Sequence, residues 1–534
     1  MAEWEKIAAD KRVRLEKTIP PEWKLKGIPD SDSFLVVPAQ TGILSDAELA
    51  ITESSATDLV AKLASGELKA VDVTLAFCKR AAIAHQLVNC SLEFFPELAL
   101  AQARDLDVYW EQNKKPVGPL HGLPISLKDQ FRVKGLETSM GYISWLNKYE
   151  TDESVMVTLL RKAGAVFYVK TSVPQTLMCC ETINNIIGRT LNPRNKNWSC
   201  GGSSGGEGAM VGGSIRVPSA FNFLYGIRPS HGRMPYARMA NSMEGQETVH
   251  SVTGPIAHSA ADIRLFLTSI LSEEPWKYDS KVIPLEWRAH EEAIIKNKLQ
   301  SGGLTIGFYN CDGVVLPHPP ILRGVETVVS TLKKNGHEVV EWPPYKHDYA
   351  VDLISAIYTS DGGADVRRDI SASGEPVISN ITDLLDPSIQ AVDMVQLWDV
   401  QLQKWRYQSE YLEKWREMEV KLGKELDAII APVTATAAVR HNQFRYYGYA
   451  SAINLLDFTS VVVPVTFADK GVDVKNEGHA PFSEVDRLVQ AEYDPEAYHG
   501  APVAVQVIGR RLSEERTLAI AEEIGRLLGN VVTP

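Results

Sequence analysis

The stretch DESVMVTLLRKAGAVFYVK, residues 152–170, predicts a helix followed directly by a buried strand. Its apolar residues recur at helical spacing, Gly164 ends the helix, and AVFYVK is a short apolar run typical of a buried strand. Asp152 or Glu153 is expected to cap the helix. The same scheme returns in ILRGVETVVSTLKKNGHEVVEW, and in APVAVQVIG followed by a helix that Ser513 can cap.

This alternation predicts an α/β fold, with a large mixed, mostly parallel twisted sheet covered by helices on both faces. The first hundred residues are expected to be largely helical, and so is the segment 388–426, whose Trp398, Trp405 and Trp415 are expected to pack in the interior. The segment 361–387 is the most loop-like.

No linker divides the sequence clearly. We predict an N-terminal helical extension over residues 1–54 and a single domain over residues 55–534.

The bulk composition excludes several classes of partner. The chain carries 55 Lys and Arg against 67 Asp and Glu, a net charge of −12 with no basic run, which argues against nucleic acid and anionic membrane surfaces. No apolar leader and no membrane-spanning run are apparent, so a cytoplasmic location is expected. Six scattered cysteines and 12 scattered histidines lack metal-site spacing, so we expect reduced thiols, no metal and no cofactor. A homo-oligomer is left open.

Three stretches carry residues suited to chemistry: GLPISLKDQF (122–131), CGGSSGGEGA (200–209) and VGGSIRVPSAF (211–221). In the first, an alternating pattern places Lys128 at the end of a strand, where α/β proteins usually build their sites. Taken alone, a Lys after a strand is usually a solvated charge, and a Gly/Ser cluster is usually a loop. Their combination is much more specific than any one of them.

Together these stretches resemble the amidase signature family. GPLHGLPISLKD, AGAVFYVKTSVPQT, GRTLNPRN, YGIRPSHGRMPY, TGPIAHS and APVAVQVIG are also similar to that family, from about residue 55 to the carboxyl end. SHGRMPY and the overall length look most like its fungal acetamidase branch. The resemblance implies the amidase-signature fold and an amidohydrolase that cleaves a small-molecule amide to an acid plus ammonia or an amine.

The resemblance also implies a set of site residues. The catalytic triad would be Ser214 as nucleophile, Ser203 after a cis peptide bond as proton relay, and Lys128 as terminal base. Further positions match a supporting serine, the backbone donors of an oxyanion hole and a main-chain substrate contact; these are Ser204, then Val211, Gly212 and Gly213, then Leu177.

This set of residues has a clear chemical logic. A serine hydroxyl needs a neighbouring base, and lysine is a base only when it is uncharged. The Ser203 hydroxyl has one donor and two acceptor lone pairs, so it can pass a proton from Ser214 to Lys128. Glycines beside the nucleophile let backbone amides point at a developing oxyanion.

The spacing of the two serines leaves two hypotheses. Ser203 and Ser214 are 11 residues apart, whereas the family's interval is about two dozen residues. In the first hypothesis the chain is an active amidase that forms an acyl-serine intermediate. In the second it is a catalytically impaired or inactive protein with the amidase fold, because the relay requires oxygen atoms within hydrogen-bond distance.

A third hypothesis comes from the Gly201-x-Ser203-x-Gly205 pattern, which also fits the nucleophile elbow of α/β-hydrolases. That motif must follow a strand, and NPRNKNWSC is a poor strand. It would also make Ser203 or Ser204 the nucleophile and require a partner histidine. His231, His250 and His258 are candidates, and nothing in the sequence distinguishes them.

Overall fold

The computed structural model describes residues 2–210 and 215–529. Val211, Gly212, Gly213 and Ser214, four of the predicted site residues, lie outside the described residues.

The N-terminal region is largely helical, as predicted. Its helices are α1 (Glu3–Lys17), α2 (Val37–Gln40), α3 (Asp46–Thr52), α4 (Ala56–Ser65), α5 (Ala70–Val88) and α6 (Pro96–Asn113), with a 3-10 turn at Pro21–Trp23 and strand β1 (Ser91–Phe94) between α5 and α6. Ion pairs to the buried Glu137 hold α1 against the body of the protein: Lys11 Nζ lies 2.8 Å from the Glu137 carboxylate, and the partly exposed Arg14 lies 2.9 Å from the same group. The division at residue 54 stays a prediction.

A three-stranded sheet carries the first of the chemistry-bearing stretches. It is built from β1, β2 (Pro124–Lys128) and β3 (Val166–Thr171), with β3 in the centre, β1 antiparallel to it and β2 parallel to it. A 3-10 turn at Ile143–Trp145 and helix α7 (Val155–Lys162) precede β3. The predicted helix-then-strand unit is therefore confirmed, but its N-cap is Ser154 rather than Asp152 or Glu153.

The Gly/Ser-rich stretches follow two short hairpins. These are formed by β4 (Ile183–Asn184) with β5 (Gly188–Arg189), and by β6 (Leu191–Asn192) with β7 (Asn195–Ser199). The expectation that NPRNKNWSC would be a poor strand is wrong, because pairing with β6 compensates for its polar sequence. Helices α8 (Gly205–Met210) and α9 (Arg216–Asn222) come next, followed by strands β8 (Tyr225–Arg228) and β9 (Ile256–Ala257).

The remainder of the chain alternates helices and strands. The helices are α10 (Ala260–Leu271), α11 (Ala289–Ser301), α12 (Pro319–Lys334), α13 (His347–Tyr358), α14 (Ala364–Ser373), α15 (Met394–Leu422), α16 (Gly448–Leu456), α17 (Glu484–Glu492), α18 (Pro495–Tyr498) and α19 (Glu514–Leu528), with 3-10 turns at Pro275–Lys277 and Ser379–Leu385. The strands are β10 (Thr305–Phe308), β11 (Glu338–Glu341), β12 (Ala428–Pro432), β13 (Thr459–Phe467) and β14 (Pro502–Gly509).

A seven-stranded sheet forms the centre of the molecule in the order β11-β10-β12-β14-β13-β8-β9. Only β11, β10 and β12 run parallel; every later neighbour pair is antiparallel. A mixed sheet is thus confirmed, but the prediction of a mostly parallel one is wrong. Alternating helices and strands in the sequence indicate that helices cover a sheet, but they do not give the direction of each strand. That direction depends on whether a connection returns to the same end of the sheet or to the opposite end.

Helices cover both faces of this sheet, as predicted. Along β13, Val461 and Val463 pack in one apolar cluster with α10, α12 and α19, whereas Val462 faces a second cluster that includes α9. A third cluster joins β12 to α13, α15 and α16. The alternation follows from the two-residue period of a strand that is buried on both sides.

Two predictions about the region 361–426 need correction. The segment 361–387 is not mainly loop, because it contains α14 and a 3-10 turn. The long helix α15 is confirmed, and Trp415 is buried within it, but Trp398 and Trp405 point to solvent.

Candidate active site

Lys128 stands at the carboxyl end of β2, as the alternating pattern predicts. Its Nζ donates a hydrogen bond to Ser203 Oγ at 2.9 Å. It forms no ion pair with a carboxylate of the described residues, and burial lowers its pKa to about 7, against the opposing influence of Glu207 and Asp129. An amine with this pKa is substantially uncharged at neutral pH, which is the state that a base requires.

Ser203 lies in a tightly packed glycine-rich turn. The Gly202–Ser203 peptide bond is cis, as the family resemblance implied. The Thr182 hydroxyl accepts a hydrogen bond from Gly205 N at 3.0 Å and donates one to Gly201 O at 2.9 Å, so it holds both sides of the turn. A Cβ on Gly206 would come within 2.2 Å of Ser172 N, so only glycine allows the turn to approach the end of β3 this closely.

Glu207 links the turn that carries Ser203 to β2, which carries Lys128, and to the neighbouring strand β3. Its carboxylate accepts a hydrogen bond from Ser126 Oγ at 2.6 Å and another from Thr171 Oγ1 at 2.7 Å. Ser126 precedes Lys128 by two residues on the same face of β2, and Thr171 is the cross-strand partner of Lys128 on β3. The buried carboxylate thereby fixes α8 against both strands.

The charges of Glu207 and Lys128 influence each other. Burial raises the pKa of Glu207 to about 7, while the two hydroxyl donors and the charge of Lys128 act in the opposite direction. Glu207 in turn acts to raise the pKa of Lys128. Near neutral pH the two groups therefore titrate over the same range, and the protonation of one depends on that of the other.

Asp129 follows Lys128 in sequence but belongs to a different set of contacts. Its Oδ2 accepts hydrogen bonds from Ser139 N, Ser139 Oγ and Met140 N at 2.8–2.9 Å. Its Oδ1 lies 3.5 Å from Nζ of the fully buried Lys170. Asp129 therefore serves as the counter-ion of Lys170 and anchors the loop after β2.

Ser204 and Leu177 both line the same cavity as Lys128 and Ser203. The Ser204 hydroxyl is buried and has no hydrogen-bond partner among the described residues. Leu177 adopts a left-handed backbone conformation (φ 66°), and its N–H donates to Pro174 O at 3.1 Å. Among the described residues, none donates a hydrogen bond to the carbonyl oxygen of Leu177.

The cavity has a volume of about 790 Å³. Its lining beside the predicted triad residues includes Met178, Cys179, Tyr358, Leu384 and Tyr447, which are mostly apolar or aromatic side chains. A concave, largely apolar site with a few convergent polar groups is typical of a small-molecule pocket.

The histidines considered for an α/β-hydrolase mechanism do not support it. His231 and His250 stack on each other with ring centroids 3.6 Å apart. The Nδ1 of His258 is buried and has no partner among the described residues, and none of the three contacts the unpartnered Ser204 hydroxyl. Burial lowers the pKa of all three rings.

Glu207 and its two hydroxyl partners, Ser126 and Thr171, were not predicted from the sequence. A signal was available: an acidic residue stood inside a Gly/Ser cluster, four positions after Ser203. The period of β2 also placed Ser126 on the face of Lys128. What the sequence lacked was the strand register, which brings Thr171 to the same point.

Within residues 2–210 and 215–529, no group of three or more His, Cys, Asp or Glu side chains is arranged to hold a metal ion. Within the same part of the chain, every helix is too short or too polar to cross a lipid bilayer.

Known proteins resemble the chain over nearly its whole length. The family model described as Amidase matches residues 72–518. An "Acetamidase" of Emericella nidulans is 73% identical over 544 aligned residues, and an "Acetamidase" of Aspergillus oryzae is 68% identical; both alignments cover 99% of each sequence. Since 544 exceeds the 534 residues of this chain by ten, the Emericella protein has at least ten residues with no counterpart here.

Solved structures agree with the sequence matches. A "Fatty acid amide hydrolase" superposes with a TM-score of 0.92 at 33% identity, covering 99% of this chain and 96% of that one. A bacterial aryl acylamidase of the amidase signature family, at 19% identity and a TM-score of 0.67, covers 89% of this chain and 96% of its own, and shares the fold.

Proposed function

This chain belongs to the amidase family and is an amide-hydrolysing enzyme, and from that premise we propose that it cleaves short aliphatic amides through a Ser214–Ser203–Lys128 relay. The products are the carboxylic acid and ammonia, and the intermediate is an ester of Ser214. The two acetamidases at 68–73% identity favour this activity over the hypothesis of an inactive member.

One observation carries the proposal. The hydrogen bond of 2.9 Å between Lys128 Nζ and Ser203 Oγ joins a buried amine, whose pKa is lowered to about 7, to a hydroxyl in the glycine-rich turn. An ordinary structural lysine in such a place would carry a carboxylate partner. Here the nearest hydrogen-bond partner is a hydroxyl that can both accept and donate a proton.

Acylation then follows as a balanced proton transfer. Ser214 Oγ attacks the amide carbonyl carbon while its proton passes to Ser203, whose own proton passes to the uncharged Lys128. The carbonyl oxygen becomes an oxyanion, which we expect the backbone N–H groups of Val211, Gly212 and Gly213 to stabilise. Lys128 returns its proton through Ser203 to the amide nitrogen, the C–N bond breaks, and ammonia leaves.

Deacylation repeats the cycle with water in place of Ser214. Water gives its proton to the relay, attacks the ester carbonyl and releases the acid, and Ser214 regains its proton. We propose that Leu177 contributes its carbonyl oxygen to the substrate N–H and that Ser204 supports the orientation of the turn. Neither step requires a metal or an organic cofactor.

Glu207 has a positioning role in this scheme. Its carboxylate accepts hydrogen bonds from Ser126 on β2, the strand that carries Lys128, and from Thr171 on the neighbouring β3. Because Glu207 acts to raise the pKa of Lys128 against the larger effect of burial, it contributes to the pH at which the base becomes uncharged.

Short aliphatic amides are proposed as substrates because two relatives at 68–73% identity bear the name "Acetamidase". The test is ammonia release from acetamide, hexanamide and benzamide by the wild type beside Ser214→Ala and Ser204→Ala. We expect acetamide to give the highest kcat/KM, the S214A protein to be inactive, and S204A to keep measurable activity.

Labelling with a fluorophosphonate separates chemistry from substrate choice. The wild type should take up one label at Ser214, whereas S214A should take up none. A folded wild type that neither labels nor releases ammonia would overturn the mechanism. Labelling with a preference for benzamide would overturn only the choice of substrate.

A further inference from the structure

Three segments that are far apart in the sequence line the active-site cavity. They are residues 177–180, the 3-10 turn at Ser379–Leu385 and residues 442–447, which contribute Tyr447. We call them the first, second and third wall segments. Met178 of the first and Leu384 of the second pack in one apolar cluster. Because the three segments are distant in sequence, their spacing around the cavity depends on tertiary contacts.

The buried carboxylate of Glu181 joins these wall segments. Glu181 follows directly after the first wall segment and is inaccessible to solvent. Its Oε2 accepts hydrogen bonds from Asn442 N at 2.9 Å and from Arg189 at 3.2 Å. Its Oε1 accepts hydrogen bonds from Phe444 N at 3.2 Å and from Asn380 Nδ2 at 3.5 Å. One side chain thus connects the first wall segment to both of the others.

The next residue ties the wall segments to the turn that carries Ser203. Thr182 Oγ1 accepts a hydrogen bond from Gly205 N and donates one to Gly201 O, on both sides of Ser203. Two successive side chains therefore hold two different structures, the wall segments and the catalytic turn. The short piece of backbone that joins Glu181 to Thr182 fixes the distance between them.

The contact to Phe444 reaches the cavity through an aromatic ring. The centroid of the Phe444 ring lies 4.9 Å from that of Tyr447 and 6.2 Å from that of the buried Phe221 on α9. Arg189 adds a further support, because its second terminal nitrogen donates a hydrogen bond to Asn442 Oδ1 at 2.6 Å. A shift of the third wall segment would therefore move Tyr447, which lines the cavity.

We propose that Glu181 is a positioning residue that limits the length of the acyl group on this side of the cavity. Its carboxylate holds the second and third wall segments at a fixed distance from the turn that carries Ser203. A short acyl group leaves these segments where they are, whereas a longer one must push them apart. This role rests on the amide hydrolysis proposed above, in which the first wall segment contacts the substrate through Leu177.

A carboxylate is required for this role because all of its partners are donors. Each oxygen of Glu181 accepts two hydrogen bonds. A glutamine of the same size has only one acceptor oxygen, and its NH₂ group would face two of the donors. Glu181→Gln therefore releases at least one wall segment without creating a cavity.

Ammonia release from acetamide and hexanamide tests the role of Glu181. The quantity of interest is the ratio of kcat/KM for hexanamide to kcat/KM for acetamide. Glu181→Gln should raise this ratio about tenfold or more, since the fit of one methylene in a hydrophobic pocket changes selectivity by roughly 10–200-fold.

A second variant acts on the same carboxylate from outside the cavity. Arg189 is not among the residues that line the cavity, and Arg189→Met removes its hydrogen bonds to Glu181 and Asn442. The ratio should move in the same direction as in Glu181→Gln, by a smaller factor. This variant decides the matter if the Glu181→Gln protein does not fold.

The matched control is Glu515→Gln on α19. Glu515 is also fully buried, and its carboxylate accepts hydrogen bonds from Arg233 and Arg288, but it does not line the cavity. Glu181→Gln and Glu515→Gln should both lower the temperature of thermal unfolding. Only Glu181→Gln should change the ratio of the two amides, because a purely structural carboxylate does not affect substrate length.

The outcomes separate this role from the proposed function. An active wild type whose ratio is unchanged by both Glu181→Gln and Arg189→Met would overturn the role of Glu181 alone. A Glu515→Gln protein whose ratio rises by the same factor would also overturn it. A folded wild type that releases no ammonia from either amide would overturn the proposed function, and the role of Glu181 with it.

Discussion

Lys128 and Lys170 occupy neighbouring strands of one small sheet, yet their surroundings differ in a decisive respect. Lys170 is fully buried, lies 3.5 Å from the Asp129 carboxylate and donates to Glu137 O and to Thr138 Oγ1. Lys128 has the Ser203 hydroxyl at 2.9 Å and no ion pair with a described carboxylate. Burial lowers the pKa of both amines, but only Lys170 has an adjacent counter-ion.

The difference separates a structural lysine from a base. A buried ammonium is tolerated when a carboxylate and several acceptors compensate for its lost hydration. A buried amine beside hydroxyls is more stable when uncharged, and it can then accept a proton. Residue type and burial are therefore poor guides to the function of a lysine, whereas the identity of its nearest oxygen is informative.

The largest expected effect is on catalysis. Lys128→Met removes the proposed base without adding a charge, and kcat/KM for acetamide should fall by roughly 10²–10⁴-fold. The fold should persist, because the lost amine makes a single hydroxyl contact in the described structure. Ammonia release measures the loss. A Lys128→Met protein within threefold of wild type would show that Lys128 is not the base.

The same substitution at the neighbouring strand should affect stability instead. Lys170→Met leaves the Asp129 carboxylate buried without its counter-ion, and the free energy of unfolding should fall by about 3–5 kcal/mol. Urea unfolding followed by fluorescence measures this. The folded fraction should keep most of its kcat. A Lys170→Met protein that is as stable as the wild type but inactive would contradict the assignment of Lys170 as a structural lysine.

A smaller effect should follow from altering the charge near Lys128. Glu207→Gln keeps hydrogen bonds to Ser126 and Thr171, because an amide both accepts and donates, but it removes the negative charge that raises the pKa of Lys128. The pKa of Lys128 should fall, the base should stay uncharged at lower pH, and the acid limb of kcat/KM should move to lower pH.

Glu207→Ala is the control for that variant, since it removes the hydrogen bonds as well as the charge. The Glu207→Ala protein should be less stable than the wild type and should have a lower kcat, and its acid limb of kcat/KM should also move to lower pH. An acid limb that stays in place in both variants, or moves to higher pH, would show that Glu207 does not act on Lys128.

The smallest effects should come from the hydroxyls that hold Glu207. Ser126→Ala and Thr171→Val each remove one hydrogen bond to a carboxylate, and each should cost about 1.5–3 kcal/mol of stability. The kcat should change only severalfold, because the other hydroxyl still holds α8 in place. Thermal unfolding and ammonia release measured on the same samples check both parts. A Ser126→Ala loss as large as that of Lys128→Met would contradict this ranking.

The features of this site that depend on short stretches of the sequence were predicted. The period of GLPISLKD placed Lys128 at a strand end, and the GGSSGG cluster identified Ser203 and its cis bond through the family resemblance. Glu207 was missed because its role depends on the register that sets Thr171 opposite Lys128.

Long-range features of the fold were predicted less well. The mostly antiparallel half of the central sheet depends on connections between distant segments, which local periodicity does not encode. Trp398 and Trp405 fit the apolar spacing of a buried helix, but the face they occupy is turned away from the body of the protein. The roles of Ser214 and of the backbone donors at 211–213 stay predictions.

The pH dependence of kcat/KM for acetamide tests the central claim most directly, because it reports ionisations of the free enzyme. An uncharged Lys128 is required for the relay, and its pKa is lowered to about 7. The account predicts a plateau above neutrality and a decline as the pH falls through about 7. A rate that stays constant down to pH of about 5, or that rises only near the ordinary lysine pKa of about 10.4, would contradict it.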